Sequence, residues 1–261
     1  MDTSPEPSET EEGGPPSMPL GERFLNVLVA PGELFEYLKA SRFAASNWLV
    51  PALIYVVVGW ICATVVLRQD WVKPQMLALQ EQGLQQQVER GKLTQEQANQ
   101  ALPMLEKYAL VGATVSGYAL PLLMGLAGPF LWGLWLWLVG TKILGGRFGY
   151  LKAVEVAGLA ALIAALGLVV KTLLILIRGD LLAAPSAILL IADYDPSNAW
   201  HAFAGLVDVM AVWGLVIRSM GIGRLAGRST GVVAVWVAGG WLLLFGGLTG
   251  LGLLAQRLTG G

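Results

Sequence analysis

The 261-residue chain has one cysteine, Cys62, and one histidine, His201. A single cysteine excludes an internal disulfide and any metal cluster built on several thiolates. A single histidine excludes a multi-histidine metal site. Charge is scarce as well. Asp, Glu, Lys and Arg make up 13% of the residues, against about 25% in an ordinary soluble domain. The net charge of −1 gives no reason to expect a nucleic-acid partner. What is left is apolar: 55% hydrophobic residues, 33 glycines, 10 tryptophans and a mean hydropathy of +0.62. This is the composition of an integral membrane protein.

The most informative stretch runs from Trp200 to Arg228, WHAFAGLVDVMAVWGLVIRSMGIGRLAGR. It opens on an interface aromatic, continues apolar for about a bilayer's width, carries one acid at Asp208, and ends in Arg218, Arg224 and Arg228. The rest of the chain can be read against it. Residues 1–20, rich in Pro, Ser, Glu and Gly, hold nothing that could form a core and read as a disordered acidic tail. They lack the basic and apolar regions of a signal peptide. Residues 21–47 place Phe24, Leu25, Val27, Leu28, Leu34, Phe35 and Leu38 at helical spacing, broken at Pro31-Gly32. They predict a pair of interfacial amphipathic helices too short to span.

Residues 48–67 are the first expected span, bracketed by Trp48 and Arg68. Residues 68–119 predict a soluble or interfacial helical insert. Its hairpin, within 68–107, breaks at Arg90-Gly91 and restarts at a capping box of Thr94 and Gln97. The charge-free run from Tyr108 to Thr141 exceeds one simple span, so a long or bent helix is expected. Its spanning part is placed at 120–143, with bends at Pro121 and Pro129. Span three is read at 154–177, an outer loop at 178–199, span four at 200–221 and span five at 232–254. The expected fold is therefore an all-α integral membrane protein with five transmembrane helices, an amphipathic lead and a helical hairpin between spans one and two.

With five spans, nine basic residues fall on the amino-terminal side and seven on the other, five of these seven spread over the insert. The short connections are basic on the first side, and the loop with Asp180, Asp193 and Asp195 is acidic on the second. This predicts a cytoplasmic N-terminus and an external C-terminus in a cell membrane of the bacterial inner-membrane kind.

Few residues suggest chemistry. Lys171 lies seven residues before Arg178 and Asp208 eight after Trp200, so both are expected about 10–12 Å below the outer face. Ionised groups at that depth tend to pair. A Lys171–Asp208 pair would either hold spans three and four in register or serve an ion or proton step. Glu155 with Arg218, or with Lys152, is a second candidate pair near the inner face. Gly246 and Gly250 form a GxxxG for helix packing, inside the subunit by default. Catalytic patterns fail on inspection. Ser116 with His201 lacks the flanking glycines of a serine elbow, since Thr114 and Tyr118 stand there. Asp193, Asp195 and Ser197 start like a calcium loop, but Asn198 and Ala204 hold its sixth and twelfth positions. Gly221, Gly223 and Gly227 follow a membrane helix rather than a strand. No catalytic, cofactor or metal residues are assigned.

Four segments together resemble the Yip family, the Ypt/Rab-GTPase-interacting membrane proteins, in its bacterial branch. They are the lead LNVLVAPGELFEYL, a first span with Trp48 and Pro51, the turn GGRFGYLKAVEVAGLAAL and the closing DVMAVWGLVIRSMGIGRLAGRS. The resemblance covers roughly Phe24 to Leu254, and the insert GKLTQEQANQALPMLEKY fits it. It implies five membrane spans, a cytoplasmic N-terminus and a non-enzymatic adaptor role. The DLYGP-type motif of eukaryotic members is absent from residues 1–47, and so is the proline early in span three. The expected function is a scaffold or adaptor, touching the lipid bilayer and a protein partner through 21–47 or 68–107. The competing expectation is a small transporter working through Lys171 and Asp208.

Overall fold

The computed structural model describes residues 18–191 and 198–258, without the side chains of residue 199 and residues 253–258. The acidic tail up to residue 17 and the Asp193–Asp195–Ser197 loop lie outside the described residues. The described chain is helical: α1 (Leu20–Val29), α2 (Pro31–Ala40), α3 (Ser46–Leu67), α4 (Val72–Glu89), α5 (Gln95–Trp137), α6 (Tyr150–Arg178), α7 (Ala199–Leu206), α8 (Val209–Ala226), α9 (Thr230–Trp241) and α10 (Gly247–Leu258). A π-helical turn, Leu138–Ile143, ends α5, and another, Leu242–Gly246, joins α9 to α10. Five helices are long and apolar enough to cross a membrane: Ser46–Leu67, Gln95–Ile143, Tyr150–Arg178, Val209–Ala226 and Thr230–Gly252.

The bundle has two ends. At the lead end, α1 and α2 pack on the start of α6 and α2 on the finish of α8, and Arg23 of α1 bonds Asn47 at the start of α3. Pro31 separates them by taking the first position of α2, where its missing N–H is not needed. At the insert end, α4 runs back along the first half of α5. The Thr94–Gln97 capping box opens α5: Gln97 N donates to Thr94 Oγ1 (3.2 Å) and Thr94 N to Gln97 Oε1 (2.9 Å). Gln75 ties α4 to the end of α6, accepting from Leu181 N at 2.8 Å.

One expected boundary differs from the structure, that of span four. The second helix of the insert and span two form one long helix, Gln95–Trp137. Pro121 stays inside because Gly59 on α3 leaves room for its ring. Its missing N–H removes one hydrogen bond without ending the helix. Span four is not continuous over 200–221. The helix stops at Leu206 and restarts at Val209. The intervening backbone pairs instead with the preceding loop: Ala187 N donates to Val207 O (3.1 Å) and Val209 N to Pro185 O (2.9 Å).

The packed core sits at the lead end. Phe35, Leu38, Leu136, Val156, Ile163, Ile217 and Ile222 are all buried there. α6 and α8 run antiparallel with Gly221 against Val156 and Gly167 against Met210, eleven residues apart on each helix. Gly158 meets the Trp48 backbone on α3, where no side chain fits. This register has a geometric result. α6 runs eleven residues beyond Gly167 to Arg178, whereas α8 begins one residue before Met210. The start of α8 is therefore recessed about 15 Å below the far end of α6.

Candidate functional site

Glu155 is the centre of the lead end. It is the sixth residue of α6 and has no exposed surface. Burying a lone carboxylate is costly, so its partners matter. Ala44 N donates to Oε1 at 2.9 Å and Asn47 Nδ2 at 2.7 Å. Lys152 Nζ lies 2.9 Å from Oε2, one helical turn away, as a charge pair off the hydrogen-bonding direction. The ammonium also donates to Leu38 O at 2.9 Å. Asn47 in turn accepts from Arg23 Nη1 (2.9 Å), and Arg23 Nη2 donates to Tyr37 OH (2.8 Å). One carboxylate thus links α1, α2, the turn before α3, and α6. The expected partner Arg218 is not part of this hub; Lys152 is. The reason is reach: Lys152 shares a helix face with Glu155 at i,i+3, while Arg218 turns towards α5.

Arg218 lies in the middle of α8 and is 9% exposed. Its guanidinium carbon sits 4.3 Å from the Trp132 ring centroid. No carboxylate among the described residues pairs with it, and its Nε has no hydrogen-bond partner.

At the insert end, Asp208 caps α8. Its Oδ1 accepts from Ala211 N at 2.9 Å. The structure records no ion pair between Lys171 and Asp208, which corrects the expected pair. Asp is short, and its carboxyl is taken by the first turn of its own helix. Lys171 is exposed on α6, one turn after Gly167. Opposite Asp208 in the short antiparallel pairing is Ser186, 7% exposed, whose hydroxyl has no partner among the described residues.

Gly246 and Gly250 do not make a tight seam within the chain. Among the described residues, a side chain at Gly250 would meet nothing within 4 Å, and one at Gly246 would only approach Phe203 at 3.8 Å. The π-turn that contains Gly246 also spoils the four-residue spacing that a shared face needs. Close packing of helices relies instead on Gly133, Gly158 and Gly221.

Arg23, Asn47, Tyr37 and Ser186 were missed in the sequence. The one available signal was the pairing of Asn47, at the mouth of span one, with a lone Glu inside an apolar helix. A family model described as the Yip1 domain matches residues 25–252. No curated protein and no solved structure matches the chain.

Proposed function

This chain belongs to the Yip1 domain family, and from that premise we propose that it is a non-enzymatic scaffold that presents its lead helices on the cytoplasmic face of a cell membrane. The observation that carries this reading is the two-sided character of α1. Asn26 and Val27 are buried against the bundle, while Leu25, Leu28 and Val29 on the other side are 42–67% exposed. The Glu155 hub holds that exposed face in a fixed place. A rigid apolar edge at a membrane surface suits docking by a protein or insertion beside headgroups. Lys39, Arg42, Lys142, Arg147, Arg224 and Arg228 on this end support a cytoplasmic orientation, with the C-terminus external. Arg224 reaches Glu36 at 2.9 Å, but both are half exposed, so this link adds under about 1 kcal/mol.

The test is site-specific photocrosslinking from Leu28 in native membranes. The scaffold reading expects a discrete protein adduct that disappears in Leu25→Ser. Adducts to lipid alone would overturn the adaptor role. A second reading, a small transporter, is favoured by the recessed start of α8. Non-helical backbone at that depth occurs where protein buries it or where it lines a watery cavity. Single cysteines at positions 171 and 208, in a Cys62→Ala background, would label from one or both sides if that cavity is wet. Unlabelled, folded protein would remove this reading.

A further inference from the structure

Arg218 poses a problem that neither reading of the function addresses. It is 9% exposed and has no acid beside it among the described residues. A guanidinium within a bilayer normally pairs or snorkels to the headgroups. This one does neither. Gly214 is one turn closer to the insert end, and Arg218 Nη1 lies 2.8 Å from where a Cβ on Gly214 would stand. The side chain therefore runs towards the membrane centre, away from the lead-end surface, through space that Gly214 leaves empty.

Two donors in its surroundings lack an acceptor among the described residues. Trp132 offers its ring face at 4.3 Å, which supplies cation–π attraction but leaves Arg218 Nε without an acceptor atom. Trp135 follows Trp132 by three residues on the same face of α5. Its indole lies over Gly240 of α9, and its Nε1 is buried with no partner among the described residues. Both orphan groups only donate. Two unpartnered donors, one of them on a full positive charge, belong to side chains gathered along one face of α5: Arg218 against Trp132, and Trp135 three residues on. A buried donor left unpaired is costly, more so when charged. Immediately beyond Trp241 the α9 backbone enters its π-turn, a feature common at functional sites.

We propose that these side chains form an intramembrane oxyanion site, with Arg218 and Trp135 donating to a phosphate or carboxylate group. Arg218 supplies the charge and the planar fork that suits an oxyanion. Trp132 holds the fork's plane, Gly214 leaves room for the guanidinium to turn inward, and Gly240 seats the Trp135 indole. The oxyanion comes either from the headgroup of an anionic amphiphile or from a free ion.

The experiment uses the full chain in non-ionic detergent, followed by thermal unfolding on tryptophan fluorescence. Phosphatidylglycerol, phosphatidylethanolamine and inorganic phosphate are titrated separately. A ligand of the folded state raises Tm by mass action. Phosphatidylglycerol is expected to raise Tm of the native chain, and its apparent affinity to fall at least tenfold in Arg218→Met. Arg224→Gln, at the exposed lead end, is expected to keep the native response. If inorganic phosphate gives the same Arg218-dependent shift, the group bound is a free oxyanion; if only phosphatidylglycerol does, it is a headgroup. Should Arg218→Met fail to fold, Trp135→Phe keeps an aromatic ring and removes the donor, and is expected to weaken binding several-fold. Equal responses in the native chain and in the variant, or no response to any of the three, would overturn the site.

Discussion

The two ends of the bundle use the same chemical group in opposite ways. At the lead end a carboxylate, Glu155, stands inside a helix, is wholly buried and joins four segments through three partners. At the insert end a carboxylate, Asp208, stands between two helices and binds its own first turn. The difference follows from one methylene and from position. Glu keeps helical geometry and projects across to neighbouring elements. Asp competes with its own backbone and favours a cap, so it breaks the helix that contains it. The lead end becomes a cross-linked, close-packed platform. The insert end becomes a set of shorter pieces, a recessed helix start and a loop paired to it by two backbone bonds.

If this contrast is right, substitutions at the lead end should cost most. Glu155→Ala leaves Lys152, Asn47 and the Ala44 N–H without their acceptor, and is expected to destabilise by about 3–5 kcal/mol in reversible unfolding from micelles. A loss below about 1 kcal/mol would mean the hub does not hold the lead. Gly158→Leu forces a side chain into the Trp48 backbone. It is expected to cost about 1–3 kcal/mol or more by the same measurement, with the α3–α6 contact the first to open.

Effects at the insert end should be smaller. Asp208→Ala removes a helix cap and is expected to cost about 1 kcal/mol. Combining it with Lys171→Leu sharpens the comparison, since two residues that form no ion pair are expected to be additive within about 0.5 kcal/mol. A coupling energy above about 1 kcal/mol in that double-mutant cycle would restore the ion pair. Gly250→Ala faces open space and is expected to change stability by less than about 0.5 kcal/mol. A larger loss, or a change of oligomeric state in light scattering, would show that Gly250 packs against a second copy.

Legibility in the sequence follows the same divide. Charge-free runs and their flanking anchors carry the five-span helical class, because the bilayer fixes the length of an apolar helix. Local signals such as Thr94 with Gln97, or Pro31 at a helix start, involve residues within one turn and could be read directly. Glu155 and Lys152 are also one turn apart and therefore visible as a pair. Asn47 is 108 residues from Glu155, and nothing local announces their bond. Lys171 and Asp208 illustrate a further limit. Counting residues to the anchors gives height in the bilayer, but not which way a side chain turns or what its own backbone claims. The same applies to Arg218, which a residue count assigns to the inner face although its guanidinium is directed towards the membrane centre. Glycine roles were equally hidden. The GxxxG spacing of Gly246 and Gly250 is conspicuous but meets open space, while isolated glycines at 133, 158 and 221 make the close contacts.

The most direct test of the platform is amide hydrogen exchange on the full chain in lipid nanodiscs, comparing residues 31–47 with residues 181–191 and 199–209. Docked through the Glu155 hub, residues 31–47 should exchange as slowly as the first turns of α6, far more slowly than the two insert-end segments, and Glu155→Gln should speed exchange at 31–47 while leaving the insert end unchanged. Exchange at 31–47 as fast as at the insert end would contradict the account, because the lead would then be loose on the membrane rather than held by the bundle.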